Sequence, residues 1–216
     1  MSQKKFYLLQ VNDALFPIGA YSHSQGLETY IQNGIVHDEK TAEEYIKNKI
    51  KWNFATTELL SVKLAYESAE AERLEELEEL EEILEASRIP MEQRDAVRKM
   101  GSRFVKTIEK LDLEINETGI YKEYVTARKG KNISHSCVYG VFCSALGIEL
   151  EEALEHYLYA QTSAMVTNCV KTIPLSQSVG QKLLSRCFFE FQEVLETLKT
   201  QTKEELCLSA PGFDIR

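Results

Sequence analysis

Ile133-Ser134-His135-Ser136-Cys137-Val138-Tyr139-Gly140-Val141-Phe142-Cys143-Ser144-Ala145-Leu146-Gly147 is the stretch whose reading decides the fold. From Ile133 to Leu146 nearly every residue is apolar or small, and no Asp, Glu, Lys or Arg interrupts it. A helix on a protein surface needs a wet face, and this one has none, so it is expected at the centre of a bundle. Gly140 stands in the middle, where a missing side chain lets a second helix approach closely. Gly147 stands where a helix C-terminus favours a left-handed residue.

Outward from this centre the pattern stays helical. Apolar positions recur at three and four rather than at two, and strand signals are almost absent. Glu149 to about Thr172 reads as the longest clean helix, with Leu150, Leu154, Leu158, Met165 and Val166 on one side and Pro174 as its break. Ser176 to Thr200 predicts a last long helix, followed by a weak tail from Leu206 to Arg216. Upstream, Glu117 to Ala127 is a short helix. Met91 to Leu111 is a longer one, with Pro90 suited to a first turn. Thr41-Ala42-Glu43-Glu44 reads as a capping box opening a run to Glu70, with Tyr45, Ile46, Ile50, Phe54, Leu59 and Leu60 among its apolar positions. Glu67 to Glu85 is rich in Glu with a narrow stripe of Leu74, Leu77, Leu80 and Leu84, and is expected as a solvated surface helix.

At the N-terminus, Lys4 to Ala14 reads as a helix with Phe6, Leu9 and Val11 or Leu15 turned inward, stopped by Pro17 and Gly19. Ser22-His23-Ser24-Gln25 is a second capping box and predicts a helix through about Asn33, closed by Gly34. No linker, repeat or internal boundary interrupts the chain. The expectation is an all-α fold: one domain over residues 1–216, a bundle of roughly ten helices around a central apolar helix.

Composition narrows the function. The 216 residues carry a formal net charge of −9, which argues against a nucleic-acid protein, because phosphate contacts need clustered Lys and Arg. No window approaches the run of about 18 uncharged apolar residues that a membrane span needs. The five cysteines, Cys137, Cys143, Cys169, Cys187 and Cys207, are odd in number and form no C-x-x-C, so free, mostly buried thiols in a reducing cytoplasm are expected.

Candidate chemistry is sparse. Ser22-His23-Ser24 invites a nucleophile-and-base reading. A third orienting group and an oxyanion hole have no place in the pattern, so Ser22 reads as a cap and His23 as an exposed first-turn residue. His135, Cys137 and Cys143 form one cluster where zinc spacing wants two, and they read as core residues. His37 and His156 read as solvated or satisfied. Neither a metal site nor a cofactor is expected. Arg128-Lys129-Gly130-Lys131 is read as a turn ahead of a phosphate loop, because the full Gly-x-x-x-x-Gly-Lys pattern is missing. Tyr21, beside a glycine turn, is either an anchor for a partner or a staple on its own helix.

Leu9-Gln10-Val11-Asn12-Asp13-Ala14-Leu15-Phe16-Pro17-Ile18-Gly19-Ala20-Tyr21-Ser22-His23-Ser24-Gln25-Gly26-Leu27-Glu28 resembles the opening signature of the urease accessory protein F family (UreF). Tyr139-Gly140-Val141 and Ala145-Leu146-Gly147-Ile148 resemble that family's central glycine-containing helix. Tyr157-Leu158-Tyr159-Ala160-Gln161, Val170-Lys171-Thr172-Ile173-Pro174-Leu175-Ser176-Gln177 and Gly180-Gln181 resemble its helix–Pro–helix corner. The resemblance runs from about residue 6 to residue 190. Ser176 stands where members often carry Gly. Members also usually continue past the position of Arg216 with a basic, aromatic tail, so a shortened chain is expected.

The resemblance implies an all-α homodimer without enzymatic chemistry of its own. It would bridge the GTPase UreG to UreD (UreH in some organisms) and apo-urease, and would govern GTP hydrolysis coupled to nickel insertion. On that reading Tyr21 is an anchor for UreG, with His23, Gln25, Glu28 and Lys171 as further contacts. Phe213, Asp214 and Arg216, in the tail, face UreD/UreH. Two other readings stay open: a helical enzyme using Ser22 and His23 or a bound cofactor, and a helical adaptor unrelated to urease.

Overall fold

In the computed structural model, which describes residues 3–19, 26–88 and 91–208, the central stretch is a helix with every residue from His135 to Cys143 buried. The described chain runs through α1 (Gln3–Val11), α2 (Leu27–Gln32), α3 (Glu39–Lys49), a π-helical segment (Ile50–Leu59), α4 (Leu60–Glu70) and α5 (Leu74–Ser87). It continues through α6 (Met91–Ile108), α7 (Gly119–Ala127), α8 (His135–Ala145), α9 (Leu150–Thr172), α10 (Gln177–Arg186) and α11 (Phe188–Leu198). No strand occurs among the described residues. The protein is an all-α bundle around α8, as its apolar sequence requires.

α8 and α4 meet backbone to backbone. A Cβ on Gly140 would stand 2.5 Å from the Val62 carbonyl oxygen, 3.1 Å from the Tyr66 nitrogen and 3.2 Å from the Ala65 Cβ. α6, α7 and α9 also pack on α8. Gly147 ends the helix region with φ +63°, as expected of a C-terminal glycine. α9 is the longest helix described, and it stops at Thr172 just before Pro174.

The expected run to Glu70 is one continuous helical rod made of three pieces. In its middle the Leu60 N–H bonds back to the Ala55 carbonyl, five residues earlier. Hydroxyls compete there for backbone acceptors: Thr57 Oγ1 donates to the Asn53 carbonyl at 2.8 Å and Ser61 Oγ to the Glu58 carbonyl at 2.8 Å. Such back-bonding loosens the α-helical ladder. The rod begins earlier than the Thr41 box predicted. Asp38 is the cap, accepting from Thr41 N–H at 2.8 Å, while the Asp38 N–H donates to Thr41 Oγ1 at 3.0 Å. Thr41 is therefore the return member of the box.

Four other expectations are corrected. On α1 the inward residues are Leu8 and Val11; Phe6 and Leu9 are exposed, and Leu15 lies past the helix end at 91% exposure. One narrow line of contact with α9 sets the phase of this short helix. α2 starts at Leu27, because Gly26 at φ +92° is left-handed and interrupts any helix from Ser22. The caps at Ser22 and Gln25 lie outside the described residues. α5 is not simply solvated, since Glu81 on it is 1% exposed. The predicted helix from Ser176 to Thr200 is two helices, broken at Cys187, whose backbone turns to φ −82°, ψ −7°. Ser176 caps the first of them by accepting from Val179 N–H at 3.2 Å.

The Gly140 contact yields a prediction. Gly140→Ala places a methyl against rigid backbone and should lower the unfolding free energy by about 3 kcal/mol, the upper end for overpacking. Urea denaturation checks this; an unchanged midpoint would mean that the two helices do not touch as described.

Candidate functional site

The stretch Leu9–Glu28, which carries the candidate anchor Tyr21, is a joint between α1 and α2 whose two flanks are tied to the core. Asn12 Nδ2 donates to the Leu8 carbonyl at 2.9 Å and to the Tyr139 hydroxyl at 2.9 Å. Tyr139 in turn donates to the Ala153 carbonyl at 3.0 Å. One hydrogen-bonded chain thus ties the end of α1 to the central helix and to α9. Asp13 Oδ1 accepts from Leu15 N–H at 2.7 Å, which folds the turn and leaves Leu15 outside. Phe16 and Ile18 are buried, with the Phe16 ring centred 5.6 Å from that of Phe104. On the far flank Leu27 is buried.

Between these anchors, Tyr21, His23 and Gln25 lie outside the described residues, as do Phe213, Asp214 and Arg216. Two expected contact residues are placed. Glu28 is exposed in the first turn of α2, and Lys171 is exposed in the last turn of α9, where it has a partner. α2 packs on α9. Tyr45 of α3 packs against α2, its ring 5.1 Å from that of Tyr30. Burial pushes its hydroxyl above the usual range, with Cys169, Tyr30 and Glu28 adding to the effect.

Beneath the joint the core holds polar groups. Arg88 donates to Glu58 Oε1 at 3.0 Å, and burial of Glu58 is outweighed by Arg88, which holds its carboxyl below the usual range. His135 is buried, stacked on Tyr157 at 5.5 Å and edge-on to Phe104 at 5.5 Å. Its Nδ1 is 3.3 Å from the Tyr157 hydroxyl, and its Nε2 has no partner. Burial lowers its pKa to about 4, although Glu58 acts in the opposite direction. The imidazole is therefore neutral at pH 7 and shielded from solvent.

The thiols are equally quiet. Burial pushes Cys137 and Cys143 up, Cys169 to about 12 and Cys187 to about 11. A thiol in that state is a poor nucleophile and a poor ligand until it loses its proton. Among the described residues no group of three or more His, Cys, Asp or Glu stands ready to hold a metal ion. The Ser22–His23 pair lies outside them.

Sequence reading missed Glu81. Its carboxylate accepts from Ser134 N–H at 2.9 and 3.0 Å, from Ser134 Oγ at 2.7 Å and from the Tyr124 hydroxyl. It sits at the N-terminus of α8, where the helix dipole favours negative charge. The signal was present: position 81 follows Leu77 by four and precedes Leu84 by three, on the buried stripe itself. Arg128, from the basic loop, is also buried, donating to Glu82 Oε1 at 2.8 Å and to the Asn132 carbonyl at 2.8 Å.

Against this geometry the chain matches a family model, UreF, over residues 36–188, more than half of its length. The chain belongs to the UreF family. A urease accessory role follows from that membership. The UreF match covers α3 to α10, including Gly140 and the corner at Pro174; the joint precedes it. Among the described residues no helix is long and apolar enough to cross a membrane.

The buried histidine makes stability pH-dependent. Because the folded pKa of about 4 lies below the ordinary 6.5, the unfolded chain takes up the proton first as pH falls. The His135 contribution is complete above about pH 7 and is lost as pH falls through 6.5 toward 4. Between pH 7.5 and 4.5 the native protein should lose on the order of 2 kcal/mol more unfolding free energy than His135→Phe. Urea titrations at the two pH values measure the difference, and parallel losses would contradict a buried neutral imidazole.

Proposed function

We propose that this protein is a non-catalytic helical adaptor of urease maturation, working in the cytoplasm as a homodimer that bridges the GTPase UreG to UreD/UreH and apo-urease. The observation that carries the reading is the UreF match over residues 36–188. The clamped joint supports it. Flanks already tied to the core need no ordering when a partner binds between them, which suits an anchor. Tyr21, His23, Gln25, Glu28 and Lys171 are assigned to UreG, and Phe213, Asp214 and Arg216 to UreD/UreH.

Exposed apolar side chains add support. Phe6, Leu9 and Leu15 lie on the N-terminal side of the joint. Tyr159 on α9 and Phe188 on α11 have ring centres 6.5 Å apart, and Phe189, next in the chain, is 64% exposed. Aromatic clusters of this kind are enriched at protein interfaces. On this reading the adaptor positions UreG so that GTP hydrolysis is coupled to nickel insertion, and nickel is cargo, passed on without storage.

Co-purification with UreG and UreD/UreH, with and without GTP, tests the proposal. Both partners should be retained, and Tyr21→Ala should weaken UreG capture by about 2 kcal/mol, roughly thirtyfold. Wild-type capture by Tyr21→Ala removes the anchor assignment; a strictly monomeric particle that retains neither partner removes the adaptor. Equilibrium dialysis of the isolated protein should show at most weak nickel binding, and a tight stoichiometric site would contradict the cargo reading.

A further inference from the structure

α6 packs on α8 through one side and carries a row of cations on the other. Gly101, Phe104 and Ile108 are buried, and a Cβ on Gly101 would run into the Ile133 carbonyl just before α8. At 3.6 residues per turn, Lys99, Arg103 and Lys106 fall within an arc of about 60° on the side opposite those three residues. Each of them is exposed. Lys110, also exposed, follows four residues on, in the turn that closes the helix, where its N–H donates to the Thr107 carbonyl at 3.2 Å. A helix that meets its neighbour backbone to backbone cannot roll, so the row is fixed in direction.

The charge of this row runs against that of the molecule. Residues 94–110 hold six basic and two acidic side chains, in a chain whose net charge is −9. None of Lys99, Arg103, Lys106 and Lys110 has an ion pair or side-chain hydrogen bond among the described residues. Asp95 stands four residues before Lys99 and Glu109 three after Lys106, spacings at which helical pairs form, yet neither pair is made. The carboxylates of the neighbouring α5 are committed elsewhere. Glu78 pairs with Lys131 at 2.7 Å, Glu79 with Lys203 at 2.5 Å, Glu82 with Arg128 at 2.8 Å and Glu85 with Arg98 at 3.8 Å. The row is an open line of positive charge on an acidic protein.

We infer that the outer face of α6 is a docking surface for an acidic helix of a partner protein, one with carboxylates at positions i, i+4 and i+7. Two helices laid side by side share the same rise of about 1.5 Å per residue, so such a helix meets Lys99, Arg103 and Lys106 together, with Lys110 next in line. A single exposed ion pair contributes little, and the docking therefore depends on several in register. The surrounding negative charge gives the row its selectivity: an acidic partner is repelled over the rest of the surface and drawn to this face, which orients it on approach. A nucleic acid strand is charged along its whole length. It would extend past a row about 10 Å long and meet the Glu-rich α5. The inference uses none of the residues assigned to UreG or UreD/UreH.

NMR titration of the isotopically labelled full chain tests it with three probes of equal charge. One is an alanine-based helical peptide with glutamates at i, i+4, i+7 and i+11; the second has the same composition with its glutamates spread around the helix; the third is a single-stranded RNA. Saturable amide shifts centred on residues 95–110 are expected, with the in-register peptide binding at least about fivefold more tightly than either other probe. Raising the salt from about 50 to about 200 mM should weaken that binding about tenfold. The charge-reversed variant Lys99→Glu/Arg103→Glu/Lys106→Glu should lose the response and gain one to the same peptide carrying lysines in place of glutamates. Lys99→Gln/Arg103→Gln/Lys106→Gln should weaken binding by about tenfold or more at an unchanged melting temperature, and it decides the matter if the reversed variant does not fold. The remote Lys182→Gln should leave binding unchanged. Equal binding of the two peptides, tighter binding of the RNA, no saturable response at millimolar peptide, or a response indifferent to the charge changes overturns the inference. Neither UreG nor UreD/UreH is present in this experiment, so its outcome is separate from that of the adaptor reading.

Discussion

Gly140 is the point at which two helices pass with no side chain between them, and the rest of the bundle is arranged to permit that passage. α8 lies against the backbone of α4 at Val62, Ala65 and Tyr66. Tyr66 then locks the geometry further along, its hydroxyl donating to the Ile148 carbonyl at 2.8 Å just beyond the end of α8. A helix packed this tightly on one side, and apolar all round, must be covered on every other side. α6, α7 and α9 provide that cover. Phe104 of α6 illustrates the density: its ring contacts those of Phe16, His135, Tyr139 and Phe142. Interiors packed in this way transmit displacement rather than absorbing it.

Cover of that kind brings charge inside. Glu81 terminates the N-terminal end of α8, binding Ser134 and Tyr124, and Arg128 reaches back toward α5. Glu58 and Arg88 pair beside His135. Buried ion pairs of this type contribute little net stability, since desolvation offsets attraction, but removing one partner is strongly destabilising. Their consequence is register. Glu81 ties α5 to the start of α8, Glu58 ties the π segment to the end of α5, and an α-helical ladder through residues 50–59 would place Glu58 at a different angle. The π segment and the ionic layer belong to one arrangement.

The flanks of the Leu9–Glu28 stretch are tied into the same frame. The joint hangs from Asn12, Phe16 and Leu27, with Phe16 resting on Phe104. UreF membership supplies the biological setting.

The central position of α8, the close approach at Gly140, the Pro174 corner and the buried state of Cys137, Cys143, Cys169 and Cys187 were all legible in the chain. Each follows from local chemistry: a helix without charged residues has nowhere to go but inside, a glycine has no Cβ, and a proline has no N–H. Tertiary packing alone decided the rest. The phase of α1 is set by where α9 lies, so Leu8 joins Val11 on the inner side while Phe6 and Leu9 face outward. The break at Cys187 carries no glycine or proline to announce it. The partners that Glu81 finds in Ser134 and Tyr124, the π segment and the Glu58–Arg88 pair depend on contacts between residues far apart in the chain. Periodicity reports which face of a helix is apolar; which partner meets that face, and which charge is carried in with it, is settled only when the helices assemble.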